Sequence, residues 1–181
     1  MKQLNLRVKS YILLGVLFIA CSAFREANAA ASYSSGDGLK NKKPHTEIAS
    51  KEELRTDIVN YSTKYLGRNY HSGGKTPSGF DCSGFTGFVL GNFDINVSSS
   101  SSSQIFDGKY KPLSQVEPGD LIFFARTPKG RIFHVAMVKE NTSEGIIVIH
   151  STCSNGVIET NISKDEYWAP KIVEARDVIN E

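Results

Sequence analysis

Apolar positions in this 181-residue chain change their spacing along the sequence, from helical to strand-like. After Ser50 they recur every three or four positions as far as Gly67, which is the spacing of one buried helix face. Ser50 and Glu53 form a capping box, so we predict that this helix begins at Ser50. We expect its apolar face to pack into the core through Leu54, Ile58, Tyr61 and Tyr65.

A second, shorter helix is predicted from Cys82 to about Leu90. Three glycines and a proline within residues 73–79 break regular structure ahead of it. Asp81 is a good N-cap, because its carboxylate can accept hydrogen bonds from the first free N–H groups. The aromatic and branched residues that follow predict a central, packed helix.

The second half of the chain has the apolar runs and alternation that are typical of strands. Its predicted strands are residues 120–125, 134–138, 145–150, 157–162 and 171–178. The first is almost continuously apolar, which predicts burial on both faces. A polar turn at 140–144 joins the second and third into a β-hairpin. Helices followed by antiparallel strands predict an α+β fold, with a central sheet packed against the helical part.

The N-terminus has the pattern of a targeting segment. Basic residues precede an apolar run at 11–20 and small residues follow at 27–29, so we predict a signal peptide at residues 1–29. The run is too short to span a membrane. A second interpretation stays open, because residues 17–21 resemble a lipoprotein box that would place a lipid anchor on Cys21. Both interpretations predict export to the periplasm or cell envelope, with or without release from the cell.

The remaining residues are predicted to form a tether and one domain. Residues 30–49 are rich in Ser, Gly, Lys and Asn, which is typical of a flexible linker. Residues 50–181 then provide one domain of ordinary size. The formal charge of +2 comes from residues 1–29, where four Lys or Arg outnumber one Glu, so the remainder carries about −1. This charge excludes a basic surface for nucleic acid.

Cys82 is predicted to be a reactive thiol. The free N–H groups and the positive end of the helix macrodipole favour a thiolate at a helix N-terminus, so we expect a lowered pKa for Cys82. The same N–H groups can stabilise an oxyanion.

Two histidines are candidates for the base that such a nucleophile needs and for the group that orients it. His134 begins one strand of the predicted hairpin and His150 ends the other. If Val138 pairs with Ile146, His134 lies directly opposite His150 on one face, within hydrogen-bonding reach. A register shifted by one residue would place the two rings on opposite faces.

Four separated motifs occur in order, and together they resemble those of the NlpC/P60 cysteine peptidases, a papain-like family that acts on cell-wall peptides. The motifs are residues 79–85 (Gly-Phe-Asp-Cys-Ser-Gly-Phe), 118–124 (Pro-Gly-Asp-Leu-Ile-Phe-Phe), 134–138 (His-Val-Ala-Met-Val) and 150–151 (His-Ser). The resemblance covers roughly residues 52–176 and implies a papain-like fold.

The resemblance also implies a role for each site residue. Cys82 is the implied nucleophile, His134 the general base and acid, and His150 the third polar residue, which orients His134. The implied oxyanion and substrate contacts are Tyr70, Asp81 and Ser83. No metal or cofactor is needed for this chemistry.

Two departures from the family pattern affect the predicted substrate site. Members often have an Arg-Thr-Ser-like segment ahead of a glutamine, whereas this chain has six serines at 98–103 before Gln104. Residues 69–74 also lack a second aromatic that relatives often carry. Two interpretations of the serine segment (residues 98–103) stay open: a flexible polar loop, or a cleft rim whose hydroxyls, with Gln104, meet a polar peptide.

Alternative sites are less well supported by the spacing. Cys82, His134, His150 and Cys153 could form a zinc site, but they lack the close ligand pairing of structural zinc sites. A disulfide between Cys82 and Cys153 would disable the nucleophile.

A catalytically inactive peptide-binding module is disfavoured because all three catalytic residues are present. An acyltransferase of the same fold is disfavoured, because in those acyltransferases the histidine precedes the cysteine, whereas here Cys82 precedes His134.

We therefore expect an exported, monomeric endopeptidase that hydrolyses amide bonds in peptidoglycan stem peptides. The bond stays open between the D-γ-glutamyl–diamino acid bond and a peptide cross-link.

Overall fold

A computed structural model describes residues 44–179 of the chain. Within that range the helices are α1 (Pro44–Thr63), α2 (Cys82–Gly91) and α3 (Ser101–Gln104). The strands are β1 (Lys75–Thr76), β2 (Gly79–Phe80), β3 (Lys109–Lys111), β4 (Leu121–Ala125), β5 (Ile132–Thr142), β6 (Gly145–Thr152), β7 (Gly156–Asn161) and β8 (Ile172–Asp177). Short 3₁₀ turns, Leu113–Gln115 and Ala169–Lys171, precede β4 and β8.

Six strands form one antiparallel sheet in the order β3-β8-β4-β5-β6-β7. All five residues of β4 are buried, as its continuous apolar run predicted. One face of the sheet packs against α1 and α2 through a cluster that includes Ile58, Phe85 and Val135, with Tyr61 and Tyr65 packed against it. The predicted α+β fold, a helical part on a central antiparallel sheet, is confirmed.

The first helix begins earlier than predicted. It starts at Pro44, so Ser50 lies within the helix and the predicted linker at 30–49 overlaps its first turns. Proline suits a first helical turn because the N–H that it lacks would have no intrahelical partner there. The helix ends at Thr63 in tighter turns, and the chain reverses at Gly67 with a φ of 79°.

The predicted register of the hairpin between β5 and β6 is wrong by two residues. Val138 pairs with Val148 rather than with Ile146, and a bulge at Lys139 shifts the pairing beyond it. The strand β5 continues to Thr142, so the turn is shorter than predicted. Before the bulge the error is an even number of residues, so His134 and His150 keep their predicted faces.

The predicted signal peptide at 1–29 and the alternative lipid anchor at Cys21 lie outside the described residues. Among residues 44–179, no helix has both the length and the apolar character needed to cross a membrane.

Candidate active site

Cys82 is the first residue of α2, and Asp81 caps that helix as predicted. Oδ1 of Asp81 accepts the backbone N–H of Gly84 at 2.6 Å and the Ser83 hydroxyl at 3.0 Å. Oδ2 accepts the N–H of Gly73 at 3.0 Å. The carboxylate therefore ties the helix N-terminus to the loop before it and fixes the backbone that carries the thiol.

The helix N-terminus lies unusually close to that loop. A Cβ atom built on Gly84 would lie 2.0 Å from the carbonyl oxygen of Gly74. The backbone of Gly74 also accepts the N–H of Asp81 at 2.9 Å. Only glycine at position 84 permits this approach, which sets the position of Cys82 relative to the sheet.

The two candidate histidines are hydrogen-bonded to each other. Nε2 of His134 lies 2.9 Å from Nδ1 of His150, and both side chains are buried. Continuing the observed register places Ala136 opposite His150, so the two histidines are diagonal neighbours on one face. Diagonal neighbours are farther apart than directly opposed residues but still within reach of aromatic side chains.

His150 has a second hydrogen bond that orients its ring. Its Nε2 lies 2.9 Å from the Thr160 hydroxyl on β7. Trp168 packs against both imidazoles, with ring centroids 4.5 Å from His134 and 5.0 Å from His150. Hydrogen bonding and packing together fix the pair.

Burial keeps both imidazoles neutral. It lowers the pKa of His134 to about 3, with a smaller contribution from neighbouring His150. It lowers the pKa of His150 to about 4, against the opposite effect of the Asp165 carboxylate. Both rings are therefore uncharged at neutral pH.

Both rings are neutral, so each carries one N–H. We assign the tautomers in which the chain of hydrogen bonds runs from His134 through His150 to the Thr160 hydroxyl, which is the final acceptor. In this assignment the Nε2–H of His134 donates to Nδ1 of His150, and the Nε2–H of His150 donates to Thr160. This leaves a lone pair on Nδ1 of His134, the nitrogen that a general base would use.

The predicted lowering of the Cys82 pKa is wrong for the free protein. Burial raises the pKa of the Cys82 thiol, and the Asp81 carboxylate acts in the same direction. The backbone N–H groups of Val135, Ser83 and Cys82 lower it but do not outweigh burial. The contact with Val135 places the thiol beside the strand residue that follows His134.

Two adjoining cavities, of about 550 and 480 Å³, meet at the thiol and form a cleft. The residues that line both are Tyr70, Cys82, Arg126 and Phe133. Asp81 and Ser83 line the first cavity and His134 the second. Of the predicted site residues, His150 alone is absent from the lining of either cavity and lies behind His134.

Tyr70 reaches the cleft beside a residue that the sequence did not assign to the site. Its hydroxyl is hydrogen-bonded to the Cys153 thiol, and burial is the main cause that raises the pKa of Tyr70. Cys82 and Cys153 are both free thiols, and Cys153 is exposed. Within residues 44–179, no group of three or more His, Cys, Asp or Glu side chains is placed to hold a metal ion.

The serine segment forms a rim of the cleft, as one of its two interpretations predicted. Ser100, Ser101 and Ser102 line the larger cavity, two of them in α3. Gln104 does not meet the cleft as that interpretation expected, because its side chain is fully buried. It accepts from the Thr86 hydroxyl at 3.1 Å and donates to the Ser83 carbonyl at 3.2 Å, so it anchors the rim to α2.

Sequence reasoning missed Thr160, Arg126 and Trp168. Ile158 of β7 pairs with His150, and Thr160 lies two positions further along β7, on the same face of the sheet as His150. This follows only from the observed register. Arg126 and Trp168 lie in connections whose paths no sequence pattern specified.

Comparison with known proteins places these features in a family. Residues 67–177 match the model of the NlpC/P60 family. The γ-DL-glutamyl hydrolase of Bacillus subtilis is 35% identical over 135 residues, covering 73% of this chain and 32% of the relative. The γ-D-glutamyl-L-lysine dipeptidyl-peptidase of Bacillus cereus is 38% identical over 82 residues, covering 45% and 25%. The chain thus spans a third or less of these relatives' length.

Solved structures agree with that match. An NlpC/P60 family protein from Bacillus cereus superposes with a TM-score of 0.64 at 29% identity, covering 69% of this chain and 40% of the other. The NlpC/P60 domain of the peptidoglycan hydrolase SagA gives 0.57 at 31% identity, covering 68% and 97%. On the family match, the relatives and the shared fold, this chain belongs to the NlpC/P60 family.

Proposed function

We propose that this protein is an exported cysteine peptidase that hydrolyses amide bonds in peptidoglycan stem peptides. The observation that carries the proposal is the 2.9 Å contact between Nε2 of His134 and Nδ1 of His150. His134 lies on the strand beside Cys82, which is the first residue of α2. This arrangement leaves the second nitrogen of His134 available to a thiol in the same cleft.

In the proposed reaction, the Cys82 sulfur attacks the carbonyl carbon of the scissile amide while His134 takes the thiol proton. The resting pair is a neutral thiol and a neutral imidazole, in keeping with the raised pKa of Cys82 and the lowered pKa of His134. Proton transfer therefore accompanies attack. The carbonyl electrons move onto oxygen, where the N–H of Cys82 and the Tyr70 hydroxyl stabilise the negative charge.

The intermediate then collapses with cleavage of the C–N bond. His134 returns its proton to the leaving amine, and the acyl group stays on Cys82 as a thioester. Water, deprotonated by His134, hydrolyses the thioester and regenerates the thiol. His150 and Thr160 act as positioning residues that hold the reactive tautomer of His134.

The names of the relatives favour one of the two candidate bonds. The γ-DL-glutamyl hydrolase and the γ-D-glutamyl-L-lysine dipeptidyl-peptidase are both named for γ-glutamyl substrates. We therefore propose the D-γ-glutamyl–diamino acid bond ahead of a peptide cross-link. Substrate contacts are assigned to Tyr70, Asp81 and Ser83, which all line the larger cavity.

Export rests on residues 1–29, with a signal peptide cleaved after Ala29 or a lipid anchor on Cys21 as the two forms. We propose a monomer whose partners are peptidoglycan peptides.

The experiment incubates the 181-residue chain with purified peptidoglycan, beside a Cys82→Ala control, and identifies released fragments by mass spectrometry. New peptide termini that depend on Cys82 are expected, and their masses name the bond. Release by Cys82→Ala at the wild-type rate would overturn the thiol mechanism. Binding of peptidoglycan by the folded wild type without any release would favour the inactive binding module.

A further inference from the structure

The larger cavity of the cleft has a cationic wall that the reaction above does not use. Arg126 and Arg131 both line it, and both come from the connection between β4 and β5, which we call the β4–β5 loop (residues 126–131). Both side chains are exposed to solvent, and within residues 44–179 neither guanidinium has a carboxylate partner. Two unpaired positive charges therefore face the space next to Cys82.

Arg126 is held in place by the same aromatic stack that packs the histidine pair. Its guanidinium carbon lies 5.1 Å from the Phe133 ring centroid. Phe133 stacks on Trp168 at 6.3 Å with an interplanar angle of 12°, and Trp168 contacts His134. A cation over an aromatic face is favourable and restricts the guanidinium to one side of the ring. The position of Arg126 is thus tied to that of the proposed base.

Arg126 and Arg131 are the only basic residues in the lining of this cavity, and the other lining residues do not fully neutralise their positive charge. The serine segment also lines this cavity, but it is uncharged and offers only hydroxyls. Asp81 is the one acidic residue in the lining, and both of its oxygens already accept hydrogen bonds from its own loop and helix. The cavity is therefore suited to an anion that can accept from a guanidinium fork and from hydroxyls.

The matching substrate group is a carboxylate. A guanidinium binds a carboxylate through two parallel N–H···O bonds, a geometry that a carboxamide cannot reproduce because half of it is a donor. A γ-linked glutamyl residue keeps its α-carboxylate free, three carbon atoms from the scissile carbonyl. Arg126 lines both cavities at the thiol, so it is placed for a group this close to the reacting bond.

We propose that Arg126 and Arg131 form a carboxylate-binding site, which selects peptides whose γ-linked glutamyl residue has a free α-carboxylate over the same peptides in the carboxamide form. The inference rests on the proposed function, because it takes Cys82 as the point of attack. It assigns specificity to the β4–β5 loop, not to the serine segment.

The test compares two synthetic tripeptides, L-Ala-γ-D-Glu-L-Lys and its α-carboxamide counterpart, as substrates of the full chain. We expect wild type to prefer the acid in kcat/KM by about 10- to 100-fold, the range for a charge-assisted hydrogen bond. Arg126→Gln and Arg131→Gln should each lower kcat/KM for the acid and leave that for the amide nearly unchanged. Lys129→Gln makes the same charge change in the same loop outside the cavity lining, and it should keep the wild-type preference.

A binding measurement separates this inference from the proposed function. Calorimetric titration of both peptides into the Cys82→Ala variant reports the carboxylate preference without turnover, and adding Arg126→Gln should abolish it. If the acid binds preferentially but wild type cleaves neither peptide, the carboxylate site is supported and the proposed cleavage of the γ-glutamyl bond is overturned. Equal cleavage and equal binding of acid and amide by wild type would overturn the site and leave the peptidase intact. An equal loss on both peptides in both arginine variants would also overturn it.

Discussion

The Thr160 hydroxyl lies 2.9 Å from Nε2 of His150, at the far end of a hydrogen-bonded chain that begins at His134. Replacing Thr160 with valine keeps the shape but removes the acceptor, so the His150 tautomer is no longer fixed. We expect Thr160→Val to lower kcat by about tenfold, the equivalent of one hydrogen bond. Thr160→Ser should restore most of the activity. Steady-state kinetics, with circular dichroism to confirm folding, measures both, and wild-type kcat in Thr160→Val would contradict the tautomer assignment.

His150 is expected to matter less than Cys82, because in the proposed mechanism it acts only through His134. We expect His150→Ala to lower kcat by about 100-fold, within the range of general acid–base catalysis, and Cys82→Ala to abolish turnover. His150→Asn should recover part of the loss, since its side-chain oxygen occupies the position of Nδ1 and can accept from His134. If His150→Ala, still folded, is as inactive as Cys82→Ala, the ranking of their roles is wrong.

The raised pKa of Cys82 predicts slow alkylation of that thiol in the free protein, because only the thiolate reacts. Iodoacetamide at neutral pH should label the exposed Cys153 first, and labelling of Cys82 should accelerate only as the pH becomes alkaline. Mass spectrometry of tryptic peptides separates the two sites. Rapid labelling of Cys82 at mildly acidic pH would instead indicate a preformed thiolate.

The histidine pair should make the fold sensitive to acid. In the folded protein the pKa values are about 3 for His134 and about 4 for His150, below the ordinary value of 6.5. Below pH 6.5 the unfolded chain therefore binds protons that the folded chain does not. The free energy of unfolding should fall by up to about 1.4 kcal/mol per pH unit for each histidine as the pH drops toward the folded values. Urea denaturation at neutral and mildly acidic pH measures the slope, which should be shallower in His150→Asn.

Gly84 is predicted to be required for the position of the helix N-terminus. Alanine there would place its Cβ 2.0 Å from the Gly74 carbonyl oxygen, so the free energy of unfolding should drop by about 3 kcal/mol. Gly91→Ala is the matched control in the same helix, because nothing lies within 4 Å of its Cβ. That variant should be neutral or gain up to about 1 kcal/mol. Urea denaturation of both distinguishes a steric effect from a general effect of alanine.

Local signals were enough to predict the Asp81 cap and the shared face of His134 and His150. Asp81 was readable as an N-cap because capping depends on residues a few positions apart. The histidine pair was readable because alternation of apolar residues fixes the side of the sheet on which each side chain lies. That is why an error of two residues in register still left His134 and His150 in contact.

Other features depend on contacts that no local pattern encodes. The bulge at Lys139 is one extra residue in β5, and nothing in the alternation of that strand signals it. The position of Thr160 beside His150 can be predicted only when the registers of both β5–β6 and β6–β7 are known. The sign of the Cys82 pKa shift was mispredicted because burial, which depends on the whole fold, outweighs the local effect of the helix N-terminus.

Trp168, packed against both imidazoles, is the only tryptophan in the chain. Its indole emission therefore arises from one place, in contact with the proposed base and with the phenyl ring beneath Arg126. An imidazolium quenches indole fluorescence more strongly than a neutral imidazole does. Fluorescence of the unlabelled protein is therefore a direct way to follow the proposed proton transfer to His134 and the proposed entry of a peptide into the cleft.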